Sequence, residues 1–297
     1  MDLSGKLTVI VPCYNEALAL PHVLPALIDI ADQNSWQVIC INDGSTDDTL
    51  KVLKDYEKYI TVINHKVNRG YGGAIKSGIL DSKTDYVITI DADGQHYLED
   101  IEKLFTRLLS SDADMVIGSR KGLKSASHFR GLGKAIIRRV ARLLVGVNIY
   151  DINSGMKLYR TDLAKKYSSL LPDTMAFSDI IAMVFINQKH RVLEEPIKIR
   201  ARIAGASTIG LHTAFLTVGE LINIVTFFNP MRVFLPVSLF FGSVGVLWGS
   251  WILLQGKGLS VGASFLIIMS VLTFLIGLLS EQITKVRKQI IELHINR

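Results

Sequence analysis

The first 120 residues alternate short apolar runs with longer stretches in which apolar residues recur at helical spacing. The short runs predict five β-strands: Leu7–Val11, Gln37–Ile41, Ile60–Asn64, Tyr86–Ile90 and Met115–Gly118. The stretches between them predict four helices: Ala17–Ala31, Asp48–Tyr59, Gly73–Leu80 and Leu98–Leu109. This alternation predicts an α/β domain with a mainly parallel sheet covered by helices on both faces. In such sheets, ligands bind beyond the carboxyl ends of the strands.

Two uncharged apolar runs lie near the C-terminus, Val233–Leu254 and Gly258–Ser280. Each is long enough to cross roughly 30 Å of hydrocarbon as a helix. They contribute most of the positive mean hydropathy of +0.32. Because only a short polar segment around Lys257 separates them, they predict a transmembrane hairpin. The alternative interpretation is a pair of buried core helices.

Positive charge predicts how the hairpin is oriented. The formal net charge is +6, and Arg232 precedes the first run while Lys285, Arg287 and Lys288 follow the second, against Lys257 alone in the turn. The positive-inside rule then places both flanks and the N-terminal domain on the cytoplasmic side. We therefore expect an integral membrane protein with four segments: an α/β domain at 1–210, an interfacial helix at 211–231, two transmembrane helices at 232–281 and a basic tail at 282–297.

The loop after the fourth predicted strand carries the strongest chemical signal. Asp91, Asp93 and Gln95 alternate along the chain, so their side chains can converge on one point. Hard oxygen ligands suit Mg²⁺ or Mn²⁺, which would bridge to phosphate oxygens. Such triplets also occur by chance in loops, but this one directly follows an apolar strand.

The loops after the first three strands are also polar or rich in glycine. Asp43 ends the second strand, where its carboxylate can accept hydrogen bonds from a nucleobase or a ribose. Its alternative role is to cap the next helix. Pro12, Tyr14 and Glu16 would shape the base pocket, although Glu16 also suits a first helical turn. The loop Asn68–Gly73 has neither the Walker nor the dinucleotide spacing, so helix entry is its alternative role.

Four segments together resemble glycosyltransferase family 2, and within it the dolichol-phosphate mannose synthase and polyprenyl-phosphate glucosyltransferase branch. They are Val11–Glu16, Asn42–Ser45, Asn68–Gly73 and Asp91–Gln95, and the likeness runs from Leu7 to Ser207. The resemblance implies a GT-A fold, which is a Rossmann-like α/β catalytic domain, with a nucleotide-sugar donor and inversion at the anomeric carbon. It implies Mg²⁺ or Mn²⁺ at Asp91, Asp93 and Gln95. The nucleotide-binding residues that it implies are Pro12, Tyr14, Glu16, Asp43, Gly73, Asp91, Ala92, Asp93 and Arg202.

The resemblance extends to the acceptor side. Arg120 ends the fifth strand at the position where this branch has an arginine facing the acceptor phosphate. Asp151–Lys157 is similar to the family's DxxSGxR element, with Lys157 in place of the usual arginine. Asp151 becomes a candidate base or positioning group, and Asp91 is a second candidate proton acceptor. Ser154 becomes a candidate contact to the acceptor phosphate, and the candidate catalytic residues are Asp91, Asp151 and Arg120.

A later segment, Arg202–Ser207, resembles the family's mobile RxxGxS loop and follows the strand-like run Pro196–Arg200. Arg202 would contact the donor diphosphate, while Thr208 stands where relatives often have lysine. The segment His128–Val147 predicts a basic amphipathic helix on an anionic membrane surface, where Arg130 or Lys134 would help to hold the lipid phosphate. The alternative is a solvated charged face. The apolar stretch 211–228 predicts an interfacial helix.

These patterns favour a membrane-bound glycosyltransferase that loads a hexose onto a polyprenyl phosphate. Two spans and the segment Asn153–Gly155 favour a UDP-hexose such as UDP-glucose over GDP-mannose. We expect a nucleotide-sugar, the lipid phosphate and the membrane as partners, and no nucleic acid; a homo-oligomer is left open. A processive polysaccharide synthase is the first alternative. That class usually carries a QxxRW motif, and Gln188–Arg191 matches its first four positions but is followed by Val192 in place of tryptophan. A nucleotidyltransferase, a nucleotide-dependent dehydrogenase and a catalytically inactive scaffold complete the alternatives.

Overall fold

A computed structural model describes residues 5–120, 149–152, 154–200, 226 and 229–295. The chain divides into two compact units, and residues 5–120 and 149–200 belong to the first. Residues 229–295 belong to the second. The predicted basic helix at 128–147 and the loop at 202–207 lie outside the described residues. So do Arg130, Lys134, Arg202 and, apart from Thr226, the predicted interfacial helix at 211–228.

The first unit consists of a sheet with helices in its connections. Its strands are β1 Leu7–Cys13, β2 Gln37–Asp43, β3 Thr61–His65, β4 Tyr86–Thr89, β5 Met115–Ser119, β6 Lys157–Arg160 and β7 Val192–Pro196. Its helices are α1 Leu20–Gln33, α2 Thr49–Asp55, α3 Tyr71–Asp81, α4 Glu99–Ser110, α5 Thr161–Tyr167 and α6 Phe177–Asn187. The five strands and four helices that the pattern predicts in the first 120 residues are confirmed, with shifted ends.

The strand order is β3-β2-β1-β4-β6-β5-β7. Every pairing is parallel except those of β6, which runs antiparallel to β4 and to β5. The buried strand β1 places Val9 and Val11 in the main apolar core, together with Leu24 of α1 and Leu104 of α4. On the sheet's other face α3 approaches closely, since a Cβ on Gly78 would lie 2.7 Å from Ile10 Cγ2. The α/β expectation is therefore confirmed.

The predicted strand at Pro196–Arg200 is wrong, because β7 is Val192–Pro196. Two adjacent glutamates obscure the strand in the sequence. Glu194 accepts hydrogen bonds from the backbone N–H groups of Tyr150 and Asp151, at 2.9 Å each. Glu195 forms an ion pair with Lys103, 3.2 Å away on α4. Both charges thus serve tertiary contacts that a local apolar pattern does not reveal.

The second unit contains the two apolar helices, α7 Met231–Leu254 and α8 Val261–Ile295. Both are long and apolar enough to cross a membrane. Small residues line their mutual contact: a Cβ on Gly245 would lie 2.9 Å from Ile267 Cγ1. The hydroxyls of Ser238 and Ser270 each donate to the other residue's carbonyl, at 2.9 and 2.8 Å. Close packing with interhelical hydrogen bonds is typical of helix pairs in lipid.

Candidate active site

The antiparallel strand β6 brings the predicted acceptor residues Asp151 and Ser154 to the loop Asp91–Gln95, which is the predicted metal site. Lys157 is in register with Thr89 of β4 on one side and with Ile117 of β5 on the other. Because β6 runs in the opposite direction, its beginning lies at the carboxyl ends of both neighbours. Asp151 therefore meets Arg120, which follows β5, and Gly155 lies against Asp91, which follows β4.

The Asp91 carboxylate is held on both of its oxygens. The Tyr71 hydroxyl lies 3.2 Å from Oδ1, and His96 Nε2 lies 3.4 Å from Oδ2. Burial alone raises the pKa of Asp91, but the hydrogen bond and charge of His96, the Tyr71 hydroxyl and the nearby Lys157 outweigh it. The pKa of Asp91 thus lies below its ordinary value. The side chain is 35% exposed, so an ionised carboxylate faces the site.

The turn after Asp91 buries Ala92 and Asp93, and Gly94 adopts a positive φ of 73°. Asp93 Oδ1 accepts a hydrogen bond from the Gln95 backbone N–H at 3.1 Å. The described part of the chain contains no group of three His, Cys, Asp or Glu side chains that could hold a metal. Two carboxylates on one turn fit Mg²⁺ or a similar cation that completes its shell with substrate phosphate and water. The residues present therefore fit a divalent cation whose coordination shell is completed by groups from outside the protein.

Arg120 and Asp151 form a bidentate ion pair. Arg120 Nε and Nη2 each lie 2.6 Å from an oxygen of Asp151, and the Arg120 backbone N–H donates to the same carboxylate at 2.8 Å. Burial alone raises the pKa of Asp151, but the hydrogen bonds and charge of Arg120 outweigh it and lower the pKa overall. The hydrogen bond with Asp151 correspondingly raises the pKa of Arg120. Asp151 is thus poorly suited to accept a proton and well suited to orient a guanidinium.

Lys157 is a fully buried amine behind this pair. Its Nζ donates to the Ser154 carbonyl and to Ser178 Oγ, and Ser178 Oγ donates to the same carbonyl at 2.8 Å. Burial lowers the pKa of Lys157 to about 8, although Asp179, Asp151 and Asp91 partly offset that effect. Lys157 therefore connects the segment Asp151–Lys157 to α6, and its amine does not reach the solvent. Ser154 is buried as well, and its hydroxyl lies 3.3 Å from the Met156 backbone nitrogen.

On the donor side, Asp43 is buried at the end of β2. Its Oδ1 is 2.7 Å from His65 Nδ1 and 2.9 Å from the Arg69 backbone nitrogen, and its Oδ2 accepts from the Gly70 N–H at 2.9 Å. The backbone N–H of Thr49, the first residue of α2, donates to Asp47 Oδ1 at 3.0 Å. The alternative capping role of Asp43 is therefore wrong, because Asp47 caps the helix and Asp43 fixes the loop after β3.

The loops after β1 and β2 are joined by hydrogen bonds. Asn15 Oδ1 accepts from the Thr46 N–H at 2.8 Å, and Thr49 Oγ1 accepts from the Glu16 N–H at 2.8 Å. Pro12 lies within β1, paired with Ile41, while Tyr14 is 48% exposed. The carbonyl of Glu16 accepts the first backbone hydrogen bonds leading into α1. Hydrogen bonds between the two loops thus fix this edge of the sheet.

The glycines that open α3 serve close packing. The Gly73 N–H donates to the Asp173 carbonyl at 3.2 Å. A Cβ on Gly72 would lie 2.8 Å from Phe177 Cβ. Lys76, one turn later, forms an ion pair with Asp173. The loop is therefore fixed against residues 172–177, and a nucleotide contact at Gly73 stays a prediction.

Comparison with known proteins decides the family. Residues 8–168 match the family described as Glycosyl transferase family 2, and residues 229–286 match the GtrB C-terminal hairpin. The chain belongs to glycosyltransferase family 2. A dolichyl-phosphate beta-glucosyltransferase of Dictyostelium discoideum is 31% identical over 205 residues, which cover 62% of each chain. A dodecaprenyl-phosphate galacturonate synthase of Rhizobium johnstonii is 26% identical over 254 residues, covering 83% of this glycosyltransferase and 73% of the relative.

Solved structures agree on the fold. Glucosyl-3-phosphoglycerate synthase from Mycobacterium tuberculosis superposes with a TM-score of 0.59 at 17% identity, covering 74% of this glycosyltransferase and 80% of that chain. The same enzyme crystallised with Mn²⁺, UDP-glucose and phosphoglyceric acid gives a TM-score of 0.58. At this identity the likeness confirms a GT-A-like fold alone. The two apolar helices and the lipid-phosphate relatives indicate that this glycosyltransferase is a membrane protein.

Four side chains that organise this glycosyltransferase's site are not predicted from the sequence: His65, Tyr71, His96 and Ser178. His96 directly follows Gln95, and Tyr71 lies inside the glycine loop, so both stood beside recognised motifs. Tyr71 is 20 residues from its partner Asp91 in the sequence, and His96 is 5 residues from it. His65 and Ser178 carried no local signal, because their partners come from other strands and loops.

Proposed function

We propose that this glycosyltransferase transfers a hexose, with inversion, from a nucleotide-sugar to a polyprenyl phosphate. A UDP-hexose such as UDP-glucose is the preferred donor over GDP-mannose. The observation that carries the proposal is the meeting of Asp91 with the Arg120–Asp151 pair at one edge of the sheet. This edge combines a carboxylate for a cation–diphosphate complex with a fixed guanidinium for a second anion. The activities of the relatives, such as dolichyl-phosphate glucosyl transfer, support the same reaction class.

The donor binds at the ends of β1, β2 and β4. Asp43 and the loop that it fixes form the base and ribose pocket, with Pro12, Tyr14 and Glu16 along its wall. Gly73 and Ala92 border the donor, and Arg202 contacts the diphosphate. Because hydrogen bonds join the loops after β1 and β2, donor binding requires little ordering of these two loops.

Asp91, Asp93 and Gln95 hold Mg²⁺ or Mn²⁺. The cation, when bound, offsets the negative charge that builds on the leaving nucleoside diphosphate. The residues themselves keep Asp91 ionised and aimed, through Tyr71 and His96. Structural neighbours crystallised with Mn²⁺ support this choice of cation.

The acceptor phosphate binds at Arg120, with Arg130, Lys134 and Ser154 as further acceptor-side contacts. Asp151 fixes the guanidinium so that its fork presents a set direction to the phosphate. A phosphate oxygen attacks the anomeric carbon, its bond to that carbon forms, and the carbon–oxygen bond to the diphosphate breaks. The attacking phosphate is already ionised, so no proton has to leave. Positioning therefore replaces a general base.

The membrane hairpin holds the active site on the cytoplasmic side, where its basic flanks belong. Its apolar outer faces contact lipid, since large side chains such as Leu239, Trp251 and Leu272 are exposed. The acceptor is itself a lipid, so anchoring confines enzyme and acceptor to one surface.

A donor screen tests the proposal. Purified protein in detergent is incubated with Mn²⁺ or Mg²⁺, a short-chain polyprenyl phosphate and radiolabelled UDP-glucose, UDP-GlcNAc or GDP-mannose in turn. We expect chloroform-soluble label with a UDP-hexose, abolished by EDTA and by Asp91→Asn. Label that enters lipid only from GDP-mannose would overturn the donor preference. If label never enters lipid although nucleotide binding depends on metal, the acceptor would be reassigned to a growing glycan.

A further inference from the structure

Three neighbours enclose the Asp91 carboxylate, and none of them is among the cation ligands assigned above. Tyr71 lies 3.2 Å from Oδ1 and His96 Nε2 lies 3.4 Å from Oδ2. On a third side, a Cβ added to Gly155 would lie 2.7 Å from Asp91 Cγ. We propose that Tyr71 and His96 are positioning residues that fix the Asp91 carboxylate for a divalent cation. This inference rests on the proposed function, because it concerns the carboxylate assigned to the cation.

The two donors leave the carboxylate able to bind a cation. An ionised carboxylate only accepts hydrogen bonds, so both the Tyr71 hydroxyl and His96 Nε2 act as donors to it. Each oxygen offers about two lone-pair positions, and each receives one of these donors. One position per oxygen remains for a cation. The 35% exposure of the Asp91 side chain keeps that position accessible.

His96 is placed for this role at a cost to its own hydrogen bonding. Its side chain is 7% exposed, and its Nδ1 has no hydrogen-bond partner among the described residues. A buried polar atom without a partner is destabilising, so such groups call for a reason in a native protein. The backbone fixes the residue through a β-bridge with Ile199. Nε2 is then directed at Asp91 and not at the solvent.

Direct Mn²⁺ binding tests the inference without the acceptor. The full-length protein in detergent, with UDP present, is titrated with Mn²⁺ while the free ion is followed by electron paramagnetic resonance. We expect Tyr71→Phe and His96→Leu each to weaken Mn²⁺ binding about tenfold, as loss of an outer hydrogen bond to a metal ligand usually does. His96→Gln, which can place an amide N–H near the Nε2 position, is expected to recover most of the affinity.

A matched control removes a tyrosine hydroxyl elsewhere. Tyr167 Oη lies 2.8 Å from His190 Nε2, away from Asp91, so Tyr167→Phe is expected to leave Mn²⁺ binding unchanged. If wild type shows no Mn²⁺ binding with UDP, the proposed function fails. If wild type binds, Asp91→Asn does not, and folded Tyr71→Phe and His96→Leu bind as wild type does, only the positioning inference fails.

Discussion

The proposed donor half and the proposed acceptor half of the active site are held by different interactions. In the donor half, which comprises loops 12–17, 43–49, 65–73 and 91–96, side chains mostly accept hydrogen bonds from backbone N–H groups. Asn15 and Thr49 accept from the neighbouring loop, and Asp43 accepts from two successive amides. In the acceptor half, which comprises residues 118–120 and 150–157, formal charges meet in a half-buried setting. Arg120 with Asp151, and the buried Lys157, are its main elements.

This difference predicts unequal sensitivity to substitution. A neutral or amide hydrogen bond contributes roughly 1 kcal/mol to stability, and its loss is spread over neighbouring contacts. Removing one partner of a buried charge pair leaves the other without its compensating charge and costs about 3–5 kcal/mol. Single changes in the acceptor half should therefore be more damaging than those in the donor half.

Asp151→Ala should have the largest effect. It removes three contacts to Arg120, so the guanidinium loses its fixed direction toward the acceptor. Because the Arg120 side chain is 42% exposed, we expect a stability loss of roughly 2 kcal/mol, below the cost for a fully buried pair. Transfer to the lipid should fall about 100-fold, as misplaced reacting groups often cause. Initial rates and urea unfolding in detergent measure the two effects. A rate within a factor of two of wild type would remove Asp151 from the mechanism.

Lys157→Met should remove a pH dependence from stability. Below pH 8, Lys157 is protonated in the folded and unfolded states, and the cost of burying its charge is present in full. Its folded pKa of about 8 lies below its ordinary value of 10.5, so between these values the unfolded state binds more protons. Stability from this group therefore rises with pH through that window, by roughly 2 kcal/mol between pH 7 and pH 10. Urea unfolding of both proteins at the two pH values should show this rise in wild type alone.

The same variant separates stability from function. Lys157 is the buried cation next to Asp91 and Asp151, and it joins the Ser154 carbonyl to α6. We expect Lys157→Met to lose transfer activity even where its stability at pH 7 equals that of wild type. Lys157→Arg, which keeps the charge, is the control and should retain more activity. Equal pH dependence in wild type and Lys157→Met would contradict the buried, charged role.

Asp43→Asn should have a smaller effect, confined to the donor. An amide retains one acceptor oxygen, so part of the contact to Arg69 and Gly70 can survive. We expect UDP to bind about tenfold more weakly, equivalent to roughly 1.4 kcal/mol, measured by calorimetry in the presence of Mn²⁺. The KM for the polyprenyl phosphate should not change. If Asp43→Asn weakened affinity for the polyprenyl phosphate as much as affinity for UDP, the division of the site into two independent halves would be contradicted.

Sequence patterns predicted the donor half better than the acceptor half for a physical reason. Asp43, Asp91 and Asp93 follow buried strands directly, so periodicity alone locates them at the ligand-binding edge. Arg120 and Asp151 are 31 residues apart, and their pairing depends on β6 running antiparallel, which no local pattern reveals. Strand β7 was misplaced because Glu194 and Glu195 interrupt its apolar pattern with charges used in tertiary contacts.

Asp162→Ala should have the smallest effect, and it isolates burial as the cause. Arg160 and Asp162 form the same two-point contact as Arg120 and Asp151, with Nε–Oδ1 and Nη2–Oδ2 distances of 3.2 and 2.8 Å. Their side chains are 46% and 60% exposed, however, so water screens the charges in both states. We expect a stability change below about 1 kcal/mol and an unchanged transfer rate. A loss matching that of Asp151→Ala would mean that bidentate geometry, and not a half-buried place beside the acceptor, sets the sensitivity.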